Sequence, residues 1–453
     1  MRLALAGLVA LGVAGWGSAT LARPVAQLQQ IDVSRAPGSQ VQVSIAADLT
    51  GRVLLAAANS LDPRAPDRGY RVVGYTSADA GSTWSAFSPD GTSRQRCSTA
   101  DPAAAVDPDG LELVAFVDRL CSTPFDVASF GIDIVTRPGA RGRWSRGTVA
   151  PIVPGYGNDK PTAAIDSGPR SPYRGRIYVA WSRWHGRDVP IRIALSTSDD
   201  SGRTWTAPRV VAGLPDAVSG FATVAIGPDG VVYLTWTDDR RQIFVERSTD
   251  GGLSFDMPVL VALAAGPPSG LCGYSGFEVT AQPRRCITTD PSIAVGDRVF
   301  VTWTAPGRNA ADRDVFVRTF SPTLAPLAAA VRVTQPRSAR LGDQFLAASS
   351  FDRSERRLWV CFYDTTGDPS RVRTRYSCTT SSDGMSWPPA SPVASVASDE
   401  TADDALDPGY GDYEGVVAVR GVAHPIWADA RDLRNLGEEI YTTTLTADRL
   451  SRR

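Results

Sequence analysis

The sequence predicts an all-β chain built from repeated four-stranded units, and three observations carry that prediction. Short β-rich runs alternate with turn residues along the whole length, supplied by 41 glycines and 33 prolines, and no stretch has the period of a long amphipathic helix. An octapeptide of the form S-x-D-x-G-x-T-W recurs. Upstream of it recurs a strand that ends in an aromatic residue, at spacings that divide the chain into comparable units.

The octapeptide stands at Ser77-Ala78-Asp79-Ala80-Gly81-Ser82-Thr83-Trp84 and Ser198-Asp199-Asp200-Ser201-Gly202-Arg203-Thr204-Trp205. It recurs with Phe for Trp at Ser248 to Phe255, and one residue short at Ser381 to Trp387. Its chemistry is that of a turn. The Asp accepts backbone N–H groups a few residues on, Gly tolerates a positive φ, and the terminal aromatic opens the next strand. Taking each copy as the connection between a third and a fourth strand places two strands before it. The second of these ends at Phe116, Trp181, Trp236, Trp303, Phe362 and Trp427. Units then begin near Val41, Asp101, Asp159, Gly220, Asp290, Asp343 and Asp412, at roughly 62 residues each, the size of a four-stranded blade. The last unit runs out after three strands. An unassigned strand at Leu28 to Val33 is expected to complete it and so close the ring without free edges.

The octapeptides resemble the Asp boxes, or BNR repeats, of sialidase-like β-propellers, and the resemblance extends over nearly the whole chain as architecture. It implies a β-propeller of four-stranded antiparallel blades; the count of units makes it seven-bladed, a departure from the six blades of the sialidases themselves, and six is the alternative if the first unit is miscounted. In that superfamily the boxes lie on the face away from the catalytic site, so these copies are read as structural. The recurrent tryptophans are read as packing between blades.

The N-terminus carries one positive charge, a short apolar run and Thr20-Leu21-Ala22, which is the pattern of a secretory signal peptide over residues 1–22. Residues 23–453 are read as one domain, secreted or periplasmic. No later stretch is apolar for about 18 residues, as a membrane-spanning helix requires. A net charge of −1 gives no reason to expect nucleic acid or an anionic membrane as partner. A monomer without a cofactor is expected. Six cysteines in an exported chain suggest disulfides. Cys361 and Cys378 lie on consecutive strands and Cys272 and Cys286 bracket an insertion, which leaves Cys97 with Cys121. The acidic run Asp399 to Asp407 suggests either a structural calcium or a solvated loop, and its spacing matches no standard calcium loop.

Chemistry is expected where the loops entering the innermost strands meet those leaving the second strands. That face gathers Asp101, Asp159, Asp290, Asp343, Asp412, Tyr413 and Glu414 with Asp118, Arg119, Arg183, His185, Asp238, Arg240, Asp364, Asp429 and Arg431. Two readings apply to each acid. It caps a turn or pairs with a nearby arginine, holding the ring closed. Or it lines a pocket for a glycan, with Arg119, Arg183, Arg240 and Arg431 on a carboxylate and Asp238, Asp290, Asp343 and Asp429 on hydroxyls.

The resemblance implies a further set: a Tyr nucleophile served by a Glu, an Asp acid/base and three arginines on the substrate carboxylate. Tyr413, Asp412, Glu414 and Asp159 are the matching candidates, with Tyr410 nearby. The Arg-Ile-Pro motif of the enzymes is absent. Tyr413 and Glu414 are neighbours on a strand and point to opposite sides, so this Glu does not readily serve this Tyr. His185 would be the base of a His/Tyr polysaccharide lyase, the other chemistry weighed here. His424 is read as incidental, in a turn before Pro425. Function is thus expected to be glycoside hydrolysis of an acidic glycan, or glycan or protein binding without catalysis.

Overall fold

The computed structural model describes residues 28–62, 69–89, 96–120, 129–139, 141–186, 190–212, 219–264, 272, 276–307, 312–334, 342–401, 409–433 and 437–451. The expected signal peptide, Cys121 and the side chain of Cys97 lie outside them.

Among the described residues, seven four-stranded antiparallel sheets follow one another along the chain, with one extra two-stranded hairpin and a single short helix, Ala447–Ser451. They are the seven blades of a β-propeller. Their innermost strands are Ser39–Ala47, Arg96–Val106, Tyr156–Ile165, Ser219–Ile226, Ser292–Val295, Gln344–Asp352 and Gly415–Val419. These starts fall at or within a few residues of the expected ones. The seventh blade is completed by the N-terminal strand Gln30–Asp32, which pairs with Glu439–Thr443 as expected. His424 lies not in a turn but in the second strand of this blade, Val422–Asp429, where it is 1% exposed.

The octapeptides form the same turn four times. In the third blade Asp200 Oδ1 accepts the Thr204 N–H at 2.8 Å and the Ser198 hydroxyl at 2.9 Å, while Oδ2 accepts the Thr204 hydroxyl at 2.6 Å. Trp205 Nε1 returns to Gly202 O at 3.1 Å. The first blade repeats this with Asp79 and the fourth with Asp250. Two successive left-handed residues shape each full copy, Ser201 and Gly202 at φ 62° and 83° in the third blade. The shortened copy keeps one, Gly384 at φ 72°, and still closes on Asp383, which is why loss of a residue is tolerated there.

Between blades lie the aromatics. Trp181, Trp236, Trp303 and Trp427 are at most 3% exposed. At roughly 25 cal/mol per Å² of apolar surface, each contributes strongly to blade packing. Hydroxyls on the inner strands add polar stitches. Ser44 accepts the Ala104 N–H at 2.6 Å, Ser292 the Ser349 N–H at 3.0 Å and Ser350 the Ala418 N–H at 3.0 Å, each across a blade boundary.

Two disulfides are formed among the described residues, Cys272–Cys286 and Cys361–Cys378. The second joins residues directly opposite each other on adjacent strands.

Candidate functional site

The site is set by a backbone device that repeats around the axis. In five blades the innermost strand is interrupted by a β-bulge at the same place, between Val41 and Ser44, Ala100 and Ala103, Asp159 and Thr162, Gly220 and Thr223, and Phe345 and Ala348. Each bulge holds a non-glycine residue in the left-handed region: Gln42, Asp101, Lys160, Phe221 and Leu346, with φ of 56°, 53°, 47°, 43° and 52°. Bulges re-aim side chains, and five strained residues at equivalent positions gather unlike chemistry at one end of the channel. The fifth blade supplies Asp290 and the seventh Asp412 and Tyr413 at the approaches to their inner strands.

Beneath these groups the channel holds a cavity of about 210 Å³, with Ser44, Thr162, Thr223, Ser292 and Thr304 among its walls. Asp412 is the hub at its mouth. Its Oδ2 accepts Lys160 Nζ at 2.7 Å and Gln42 Nε2 at 2.9 Å, and its Oδ1 accepts Arg285 Nε at 2.7 Å. Lys160 Nζ also lies 3.5 Å from Asp290 Oδ2 and 3.6 Å from the centre of the Phe221 ring, a cation–π contact. Gln42 is held in turn by Asn59, whose Oδ1 accepts the Asp101 N–H at 2.9 Å. Six blades and the hairpin thus meet through one carboxylate and its neighbours.

The hairpin crosses the channel mouth. Its strands, Gly276–Val279 and Gln282–Thr288, leave the fourth blade, carry the Cys272–Cys286 disulfide, and reach the seventh blade through Arg285 and through Gln282 Nε2, which donates to Gly411 O at 3.3 Å. Val279, Ala281 and Ile287 pack into the core shared by the sixth, seventh and first blades. At its other end Phe277 lies against the Arg241 and Arg313 guanidinium groups, at 4.6 and 5.0 Å.

Electrostatics separate these acids. Burial opposes the charge of Asp412, but Lys160 and Arg285 outweigh it and hold the carboxyl well below the usual carboxylate range. Burial likewise opposes the Lys160 charge, and Asp412 and Asp290 reverse this and lift its pKa above the ordinary value. Burial pushes Asp290 up to about 6 despite Lys160. Asp101 is raised well above its ordinary value by burial and by the Asp159 carboxyl it faces.

The remaining expected residues divide. Tyr413 lines the cavity, but its hydroxyl donates to Pro102 O at 3.1 Å, and burial, followed by Asp101 and Asp412, raises its pKa. Glu414 accepts the Tyr363 hydroxyl at 2.6 Å and not that of Tyr413; both residues precede the inner strand, which begins at Gly415, so the expected strand alternation does not apply to them. Tyr410 is buried, stacked on Tyr363 at 4.1 Å and bonded to Thr374 and Ser398. Four acids on this face are engaged in blade chemistry. Asp238 caps its own loop through the Arg240 and Gln242 N–H groups, with Arg240 exposed. Asp343 takes a forked contact from Arg371, Asp429 one from Arg431, and Asp118 lies 3.3 Å from Arg146. Arg431 also stacks on Tyr441 at 3.8 Å. Arg183 lies over Tyr156 at 4.6 Å and His185 against the same ring at 4.5 Å, with His185 exposed. Arg119 stands opposite Ser98 in the second blade. Asp399 accepts the Thr401 N–H, and no cluster of metal-binding side chains occurs among the described residues.

Sequence reasoning named Asp412 and Asp290, placed Lys160 at an inner-strand entry without a role, and missed Arg285, Gln42 and Phe221. The available signal was Asp101-Pro102, Lys160-Pro161 and Asp290-Pro291, three unit starts in which a polar residue precedes proline. That the first two mark bulges, while Asp290-Pro291 only precedes its strand, is visible only from strand register.

No family model matches the chain, and no curated protein matches it. Among solved structures it is similar to a Dyadobacter fermentans protein of unknown function, at 17% identity and TM-score 0.48, covering 75% of this chain and 95% of that one. It is similar to the GH93 α-L-arabinofuranosidase of Fusarium graminearum at 11% identity and TM-score 0.46, covering 93% and 98%. It is also similar to a Trypanosoma rangeli sialidase at 14% identity and TM-score 0.45, covering 76% of this chain and 55% of that one, so it spans about half of that enzyme's length. These likenesses do not by themselves assign an activity to the chain.

Proposed function

We propose that this propeller acts on an acidic or polyhydroxylated glycan at the channel mouth, as a glycoside hydrolase whose proton donor is Asp290. The observation that carries the reading is the separation of two carboxyl groups around one ammonium. Despite burial, Lys160 and Arg285 hold the Asp412 carboxyl well below the usual range while burial pushes Asp290 up to about 6, beside a cavity whose walls mix hydroxyls such as Thr288 and Thr304 with apolar residues such as Phe221 and Leu346. Environments that push two carboxyl groups apart are what acid/base division of labour needs. Lys160 and Arg285 would orient an anionic sugar. Export through the N-terminal leader belongs to the same proposal, and two disulfides agree with an oxidising compartment.

A second reading, glycan or protein recognition without turnover, is favoured by one observation. Tyr413 and Glu414 are bonded to Pro102 and Tyr363, so no tyrosine and carboxylate pair is assembled. The test is a panel of fluorogenic sialosides and acidic oligosaccharides with purified protein. Hydrolysis is expected, with a rate that falls as pH rises through about 6 because the donor must be protonated, and D290N abolishes it. Binding without hydrolysis selects the second reading in its glycan form, and neither binding nor hydrolysis refutes action on or recognition of these glycans, leaving protein recognition.

A further inference from the structure

We infer that closure of the ring is proton-coupled: the seam between the N-terminal strand and the seventh blade holds two facing carboxyl groups, Asp32 and Glu439, and fits the closed ring while Glu439 keeps its proton. The seam is short. Three residue pairs shut the ring, Gln30 with Thr443, Ile31 with Thr442 and Asp32 with Tyr441. At its end the Ser34 hydroxyl lies 3.4 Å from both Asp32 Oδ1 and Glu439 Oε2, which brings the two carboxyl groups together. Glu439 is 3% exposed, and its Oε1 has no hydrogen-bond partner. A buried oxygen of that kind is far cheaper to keep neutral than charged.

The surroundings offer little to a second negative charge. Tyr75 of the first blade and Tyr441 on the same strand face the pair as neutral phenols, both with pKa raised, first by burial. Asp429 on the neighbouring strand adds a further carboxylate; its fork partner Arg431, stacked on Tyr441, also donates to Gln30 Oε1 at 2.9 Å and is the cation that faces Asp32, while no ion pair joins it to Glu439 among the described residues. Arg35 gives its backbone N–H to Asp32 Oδ1, but its Nε goes to Asp32 O. Burial first and Asp32 second lift Glu439 from 4.5 to about 8.

The sign follows from linkage. Between pH 4.5 and about 8 the folded seam keeps a proton that the unfolded chain releases. Closure therefore weakens as pH rises through that window, by up to tenfold in the folding equilibrium per pH unit, and levels off above it. The test compares wild type with E439Q by urea unfolding from pH 5 to 9, with hydrogen exchange at Ile31 and Thr442. Other buried acids such as Glu246 cancel in the ratio. The unfolding constant of wild type relative to E439Q is expected to rise several-fold per pH unit up to about 8. Exchange at the seam should rise with pH in wild type beyond the intrinsic rate, and not in E439Q. D32N, which leaves one carboxyl group, should show a smaller slope than wild type and serves if E439Q does not fold. Slopes equal to wild type in the variants that fold overturn the inference.

Discussion

Asp412→Asn tests whether the channel mouth is the keystone of the ring. The substitution keeps the side chain's shape and removes the charge on which Lys160, Arg285 and Gln42 converge at 2.7, 2.7 and 2.9 Å. Solvent cannot take over, because the Asp412, Lys160 and Arg285 side chains are only 14%, 12% and 19% exposed. Removing one partner of a buried ion pair costs about 3–5 kcal/mol. Asn retains a hydrogen bond of about 1 kcal/mol, and Asp290 at 3.5 Å still offsets part of the Lys160 charge, so the net loss is about 3 kcal/mol. For a ring of this size that lowers the unfolding midpoint by roughly 3 °C, given an unfolding entropy near 2 cal/mol/K per residue. Urea titration with K160M and the double variant supplies the assay. The two sites should couple by about 1–3 kcal/mol, since the second substitution no longer strands a charge. A loss below about 1 kcal/mol for D412N, or additive effects of the two substitutions, would refute the keystone account, because those are the values of exposed, independent charges.

Two further outcomes follow from the turns and the disulfides. Hydrogen bonds led by the Thr204 hydroxyl hold Asp200 at about 2, and Asp250 and Asp383 reach about 2 because their Ser254 and Ser386 contacts overcome a small burial penalty. Folded values below the unfolded ones mean that this stabilisation is complete above about pH 4 and disappears as pH falls towards 2, so an acid titration followed by circular dichroism should show a flatter loss in D200N/D250N/D383N than in wild type. Replacing Cys361 and Cys378 by alanine opens a loop with a sequence separation of 17 and should cost about 3 kcal/mol. Calorimetry with a reductant checks this, since reductant should lower the wild-type midpoint further than that of the double variant.

Much of the fold was legible because it is written locally. The octapeptide names its own hydrogen bonds: Asp200 reaches residues two and four positions away, so the turn at Ser198 to Trp205 is specified by eight neighbouring residues. The recurrent tryptophans and the strand at Leu28 to Val33 were legible for a similar reason, since periodicity and an unfilled place in the last blade are properties of the chain order. The site was legible only in part. Asp412 stood out as a residue at the start of a unit, but its partners Gln42, Lys160 and Arg285 are 370, 252 and 127 positions distant in sequence, and no local pattern links them.

What the sequence by itself determined is therefore the blade and its closure, with seven blades preferred over six, because each depends on turns and on the alternation of neighbours along one strand; the seven sheets themselves settled the count. What only the tertiary structure decided is which residues meet on the axis. Left-handed bulges at Gln42, Asp101, Lys160 and Phe221 rotate side chains of unrelated type into one channel mouth, and a disulfide-pinned hairpin brings Arg285 across it. Those contacts arise from ring closure, which sets the distance between blades. They have no counterpart in the spacing of residues along the chain.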